Sequence, residues 1–141
     1  MTSKRRQARQ RAVELLFEAD QRGLAPLALL EERLAQQDVT DRPAPVPAYT
    51  EFLVRGVAQH FDQIGEWLDT YSHGWARDRM AAVDRAILYL GAFEVVFVDD
   101  VPDQVVLGEA ADLAGLLSTA KSPNFISGVL GRLSTLKPTL V

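Results

Sequence analysis

The stretch Arg79–Val98, RMAAVDRAILYLGAFEVVFV, decides the fold class. It closes on Val95-Val96-Phe97-Val98, four residues that alone would suit a buried strand. The residues before them argue otherwise. Met80, Val83, Ile87 and Leu90 recur at spacings of three and four, the period of an amphipathic helix, and Val95 follows on the same stripe. A helical period that runs straight into a β-branched cluster makes that cluster the buried end of a helix.

Helical patterning continues on both sides. Toward the C-terminus, Asp100-Val101-Pro102 reads as a helix start with Pro102 near its first position. Val105, Val106, Ala110, Leu113 and Leu117 then face the core. A polar turn, Ser118 to Pro123, precedes a last helix over Asn124–Leu136, which Pro138 closes. Toward the N-terminus, 48–72 reads as one long run. Phe52, Val57, Phe61, Ile64 and Leu68 trace its buried side, with Val54 and Trp67 beside them, and His73-Gly74 ends it. Asp38–Pro47 is a breaker-rich loop with prolines at 43, 45 and 47. Residues 26–37 carry Leu27, Leu30 and Leu34 on one face. Residues 4–22 carry Ala8, Ala12, Leu15, Leu16 and Ala19, with Ser3 as N-cap and Gly23 as the stop. No alternating stretch is long enough for a strand. The pattern predicts an all-α domain of six to seven helices, in two packed helical subdomains of about 1–74 and 75–141.

The 141 residues suit one domain, and an apolar share of 48% with 24% charged is that of a globular chain. There is no cysteine, which excludes disulfides, Cys-based zinc sites and thiol nucleophiles. No run approaches the ~18 apolar residues of a membrane span. The basic N-terminus is followed by Gln7, Arg9, Gln10 and Arg11 rather than an apolar run, so a secretory signal is not expected and the cytoplasm is.

The net charge of −4 hides a strong asymmetry. Residues 1–13 hold five basic groups (Lys4, Arg5, Arg6, Arg9, Arg11) and no acid. Residues 113–141 hold three (Lys121, Arg132, Lys137) and again no acid. All nineteen acids lie between. The field acts within about a Debye length, ~10 Å, so an acidic body with two basic ends presents local basic surfaces despite its negative total.

Two clusters stand out. On the first helix, Arg6, Arg9, Val13 and Phe17 are spaced three, four and four, within one sector, with Arg5 on a neighbouring face and Lys4 near the end. Guanidinium groups suit phosphates, and an aromatic ring offers a platform for an unpaired base. On charge alone the same stretch also reads as a solvated helix start with Phe17 in the core. The second cluster, Lys121, Ser122, Asn124, Phe125 and Ser127, opens the last helix, where free backbone N–H groups favour anions. Phe125 there reads as a stacking residue or a core anchor. Catalytic signals are lacking. His60 and His73 are thirteen apart, which fits no common zinc spacing. Adjacent acids, Glu31-Glu32 and Asp99-Asp100, do not face each other. Gly128-Val129-Leu130-Gly131 lacks the Lys-Ser/Thr of a phosphate loop. No catalytic, metal or cofactor site is expected.

Several segments resemble the NusB family over nearly the whole chain. They are Arg5-Arg6-Gln7-Ala8-Arg9 leading to Ala12-Val13-Glu14-Leu15-Leu16-Phe17, then Phe52-Leu53-Val54-Arg55-Gly56-Val57. Trp75, Arg79 and Met80 follow, with Val83-Asp84-Arg85-Ala86-Ile87-Leu88, Glu94, Val101-Pro102 through Glu109-Ala110, and Phe125-Ile126-Ser127-Gly128-Val129-Leu130. Each is weak alone; together, in this order and spacing, they are specific.

The resemblance implies a single NusB-like RNA-binding domain without catalytic activity, acting in transcription antitermination. Its partners would be single-stranded boxA RNA, a small ribosomal protein acting as NusE, and the elongating RNA polymerase during ribosomal RNA synthesis. It carries the RNA surface onto Lys4, Arg5, Arg6, Arg9, Phe17, Lys121, Asn124, Phe125 and Ser127, and implies that the two basic ends meet in space. It carries the ribosomal-protein contact onto Asp84 and its helix. Ser127 stands where the family usually has Asn, Asn124 where Lys is frequent, and Tyr89 where Arg is common. Weaker RNA binding by the chain alone is therefore expected. Similar domains also precede RNA cytosine methyltransferases, but this chain is too short for a methyl-transfer domain. The alternative reading is a helical protein–protein module or homodimer without direct RNA binding. A homodimer that covers the arginine face through Val13 and Phe17 would be autoinhibitory.

Overall fold

The computed structural model describes residues 3–37, 45–72 and 74–140. At its centre is α5 (Ala82–Phe97), in which every residue from Ala86 to Val96 is buried. A helix apolar on all sides needs neighbours on all sides. They are α1 (Lys4–Arg22), α3 (Ala48–Gln59), α4 (Phe61–Tyr71), α6 (Asp103–Leu117) and α7 (Ser122–Leu140), each packed on α5. α2 (Pro26–Gln37) lies against α1 and α3, and a 3₁₀ turn, Arg77–Arg79, leads into α5. Among the described residues there are seven α-helices and no strand, so the fold is all-α and the valine-rich stretch is the end of a helix.

The core runs through all seven helices, with Leu29, Leu53, Ile64, Ile87, Leu90, Leu113 and Leu130 among its closed-off side chains. Polar pins cross it. The Thr50 hydroxyl donates to the Ala8 carbonyl at 2.7 Å, joining α3 to α1. Among the described residues no buried side-chain nitrogen or oxygen lacks a partner. That is the condition a buried polar group must meet to avoid a penalty of about 1–3 kcal/mol.

Several expected boundaries shift. The run over 48–72 is two helices, broken at His60 (φ −112°, ψ 22°). His60 stacks on Phe97 at 3.8 Å, which ties the break to the end of α5. α7 starts at Ser122 and continues past Pro138 to Leu140. Pro138 sits in the last turn, where its missing N–H forfeits one hydrogen bond. The preceding turn is tethered because Ser134 and Lys137 both donate to Asp103 of α6. Asp103, not Pro102, is the first helical residue of α6. Phe52, expected inside, is 47% exposed, and Val105 is exposed too, because Val101 and Val106 take the buried places there. Most of the Asp38–Pro47 loop, and His73, lie outside the described residues.

Candidate nucleic-acid interface

Ser3 caps α1, its hydroxyl accepting from the Arg6 N–H at 3.0 Å. The first turn that follows is Lys4, Arg5 and Arg6 with no acid, at the positive end of the helix dipole. Each arginine then meets a different fate. Arg5 lies over the Tyr49 ring, 4.3 Å from its centroid, and leaves half its side chain exposed while grazing Asp100 at 3.8 Å. Arg6 turns onto α6 and donates to Glu109 at 2.7 Å and to Asp112 at 2.6 Å. Hydrogen bonding and charge from Glu109, with Asp112 assisting, raise its pKa.

Arg9 is buried. Its guanidinium donates to both oxygens of Glu94 at 2.9 and 3.1 Å through Nε, and again through Nη2 at 2.9 Å. The Tyr49 hydroxyl donates to the same carboxylate at 2.6 Å. Burial is the largest single influence and opposes the Arg9 charge, but the Glu94 hydrogen bonds and the nearby negative charge together outweigh it and the Arg9 pKa rises. Burial first, then Glu94, pushes the Tyr49 phenol up to about 12. The triad is a closed polar knot under α1.

The sector expected to face RNA is therefore mostly the inner face of α1. Val13 is buried, Arg9 is locked inward, and Phe17 is half-buried against the core. Arg9, expected at the RNA surface, has its guanidinium fork filled by Glu94. Of the Val13–Phe17 edge on which an autoinhibitory dimer would rest, Val13 is buried in the protein's own core and Phe17 partly so. Lys4 and Arg5 are the exposed cations of this start.

At the start of α7, Lys121 and Asn124 are exposed and Phe125 and Ser127 half-buried. Phe125 and Lys121 open onto a groove of about 290 Å³ that they share with Trp75, Arg79, Met80 and Asp84. Trp75, part of the family motif in the sequence, is 54% exposed. The Asp84 carboxylate is buried at the groove floor. It accepts from Ser118 at 2.7 Å and Ser122 at 3.0 Å. Asp84, expected with its helix as the ribosomal-protein contact, pins the α6–α7 turn to the start of α5.

The two starts are tied to different parts of α5. Arg9 anchors the first to Glu94, near the C-terminal end of α5, and Ser122 anchors the second to Asp84, near its N-terminal end. Ten helical residues between those anchors span about 15 Å. A ligand touching both starts must be extended.

These features define an all-helical fold with two separated basic helix starts, and among the described residues no cluster of His, Cys, Asp or Glu that could hold a metal. The NusB family model matches residues 6–135, and the chain belongs to the NusB family. It is 50% identical over 136 residues to the transcription antitermination protein NusB of Kineococcus radiotolerans, covering 96% of each chain. Among solved structures it resembles T. maritima NusB (TM-score 0.79, 26% identity, 96% of this chain and 93% of that one). It also resembles a chain in a crystal structure of the antitermination factors NusB and NusE in complex with dsRNA (TM-score 0.76, 26% identity, 96% and 98% covered). Among the described residues no helix is long and apolar enough to cross a membrane.

Proposed function

We propose that this chain is a non-enzymatic, cytoplasmic RNA-binding adaptor in transcription antitermination. It holds boxA-type single-stranded RNA together with a small ribosomal protein acting as NusE, on RNA polymerase during ribosomal RNA synthesis. The observation that carries this reading is the family match over 6–135, joined to an acid-free first turn whose Lys4 and Arg5 remain exposed. The likeness to a chain crystallised with NusE and dsRNA supports the choice of partners.

In this reading Lys4, Arg5 and Lys121 neutralise phosphates. Arg6 joins them by exchanging Asp112, its more exposed partner, for a phosphate oxygen. Asn124, Phe125 and Ser127 contact bases at the start of α7. Arg9 and Asp84 hold the two starts at their fixed separation. Phe17 keeps α1 seated. The acidic middle of the chain offers a complementary potential to a basic ribosomal protein. Each contact is weak, and the adaptor works by raising the effective concentration of one ligand near another.

The test is RNA binding by fluorescence anisotropy across a salt series. Lys4→Ala and Arg5→Ala should each weaken binding and lower the salt slope by about one, as expected for one lost phosphate contact. Unchanged affinity and slope in both variants would remove the basic start from the interface and favour a protein–protein module instead.

A further inference from the structure

The basic start of α1 continues into a row of rings that no step above uses. Arg5 covers Tyr49, and Tyr49 stacks on Phe52 with centroids 5.7 Å apart and planes 28° from parallel. Phe52 sits on Phe93 at 5.6 Å, tilted by 59°. Tyr49 is fixed from behind by its bond to Glu94. Phe93 is fixed by burial and by Gly56, whose missing side chain leaves the space the ring occupies. Phe52 is thus held in place from two sides, yet 47% of it faces solvent. An exposed aromatic ring on rigid supports is costly to leave bare and suits a ligand with a flat face.

Charge says which ligand. Lys4 and Arg5 stand at the near end of the row. The nearby acids Glu51 and Glu31 both accept from Arg55, at 2.9 and 3.1 Å, which offsets one of their two charges and turns them toward that guanidinium. Cations leading to an aromatic platform fit an unpaired nucleotide, with its phosphate on the cations and its base on the ring. We propose that Tyr49 and Phe52 form a stacking platform that seats one unpaired base of the bound RNA, beyond the stretch held by the two basic starts. The proposal rests on the RNA-binding reading above and extends its site onto α3.

The experiment is a set of single-stranded boxA-type RNAs shortened one nucleotide at a time from each end. Each is titrated against the wild-type chain, Phe52→Ala, Phe52→Leu and Phe52→Trp. For the longest RNA, Phe52→Ala and Phe52→Leu should weaken binding by about tenfold, the scale of one base–aromatic stack. Phe52→Trp should restore it. One nucleotide should exist whose removal costs the wild type about tenfold and costs Phe52→Ala nothing, the signature of a direct pair. Phe52→Leu keeps an apolar side chain on the same supports, so an unchanged thermal midpoint there separates lost stacking from lost folding. Equal binding of all four proteins across the series overturns the platform while leaving the basic starts in place. Loss of a basic protein partner by Phe52→Ala, with RNA binding intact, overturns it too. Failure of the wild type to bind any of the RNAs overturns the RNA-binding reading itself.

Discussion

Arg5 and Arg9 lie one turn apart on α1, and their surroundings separate contact from support. Arg9→Ala leaves Glu94 charged, buried and without its fork, so the folded chain should lose about 3–5 kcal/mol in urea unfolding. Arg5→Ala removes a half-exposed guanidinium that lies over Tyr49 and pairs loosely with Asp100, and stability should fall by no more than about 1 kcal/mol while RNA affinity falls. Equal stability losses in the two variants would contradict this division. The sequence shows an arginine-rich helix start plainly, because composition and spacing need no partner to be read. It does not show which arginine turns inward. The residue that decides, Glu94, lies 85 positions away. The sector holding Arg6, Arg9, Val13 and Phe17 satisfies a binding face and a buried face equally well until that partner is placed.

At the level of elements, the helices and their order were largely legible, and the period of α5 is regular enough to carry its strand-like end, Val95–Val98, into the helix. The break at His60 was not. The His60 N–H still bonds to the Gly56 carbonyl at 3.2 Å and the Ile64 N–H to the His60 carbonyl at 2.9 Å. Hydrogen bonding and apolar period thus pass almost unbroken from α3 to α4. Phe52 was misplaced for a related reason: a periodic stripe marks a face but not how much of it a neighbour covers. Gly56 is where α3 and α5 come closest, since a Cβ there would fall inside the Phe93 ring. Gly56→Ala would gain about 1 kcal/mol of helix propensity and lose about 1–3 to overpacking. The net should be destabilising, with an altered Phe52 platform, and a higher thermal midpoint would refute the close approach. The join of α4 to the 3₁₀ turn carries a pH dependence. Arg77 donates to Asp69 through its backbone N–H at 3.0 Å and its side chain at 3.0 and 2.9 Å. Those bonds, the side-chain ones first, hold the Asp69 pKa below its ordinary 3.8. A carboxylate depressed in the folded state contributes stability above its unfolded pKa and loses it as pH falls through the folded value. The urea midpoint should therefore drop as pH falls from ~4 to ~2, less steeply in Asp69→Asn. Parallel profiles would contradict the clasp.

Across the whole molecule, charge is arranged by location rather than by total. The chain carries −4, yet its acids are gathered between residues 14 and 112 and its two ends are basic. Folding ties the start of α1 near the C-terminal end of α5 through Arg9 and Glu94, and the start of α7 near its N-terminal end through Ser122 and Asp84. Two starts held in this way fit an extended RNA. Within the basic starts, Arg6 is drawn onto Glu109 and Asp112, which lowers the free positive charge of the RNA surface and agrees with an adaptor that needs a second ligand for tight binding. The measurement that bears most directly on this is the anisotropy of a short boxA-type RNA titrated with the chain, with and without the basic ribosomal-protein partner, at low and high salt. The predicted result is weak, salt-sensitive binding by the chain alone that tightens when the partner is present. Absence of binding in both conditions would contradict the adaptor and reduce the two basic starts to solvated surface.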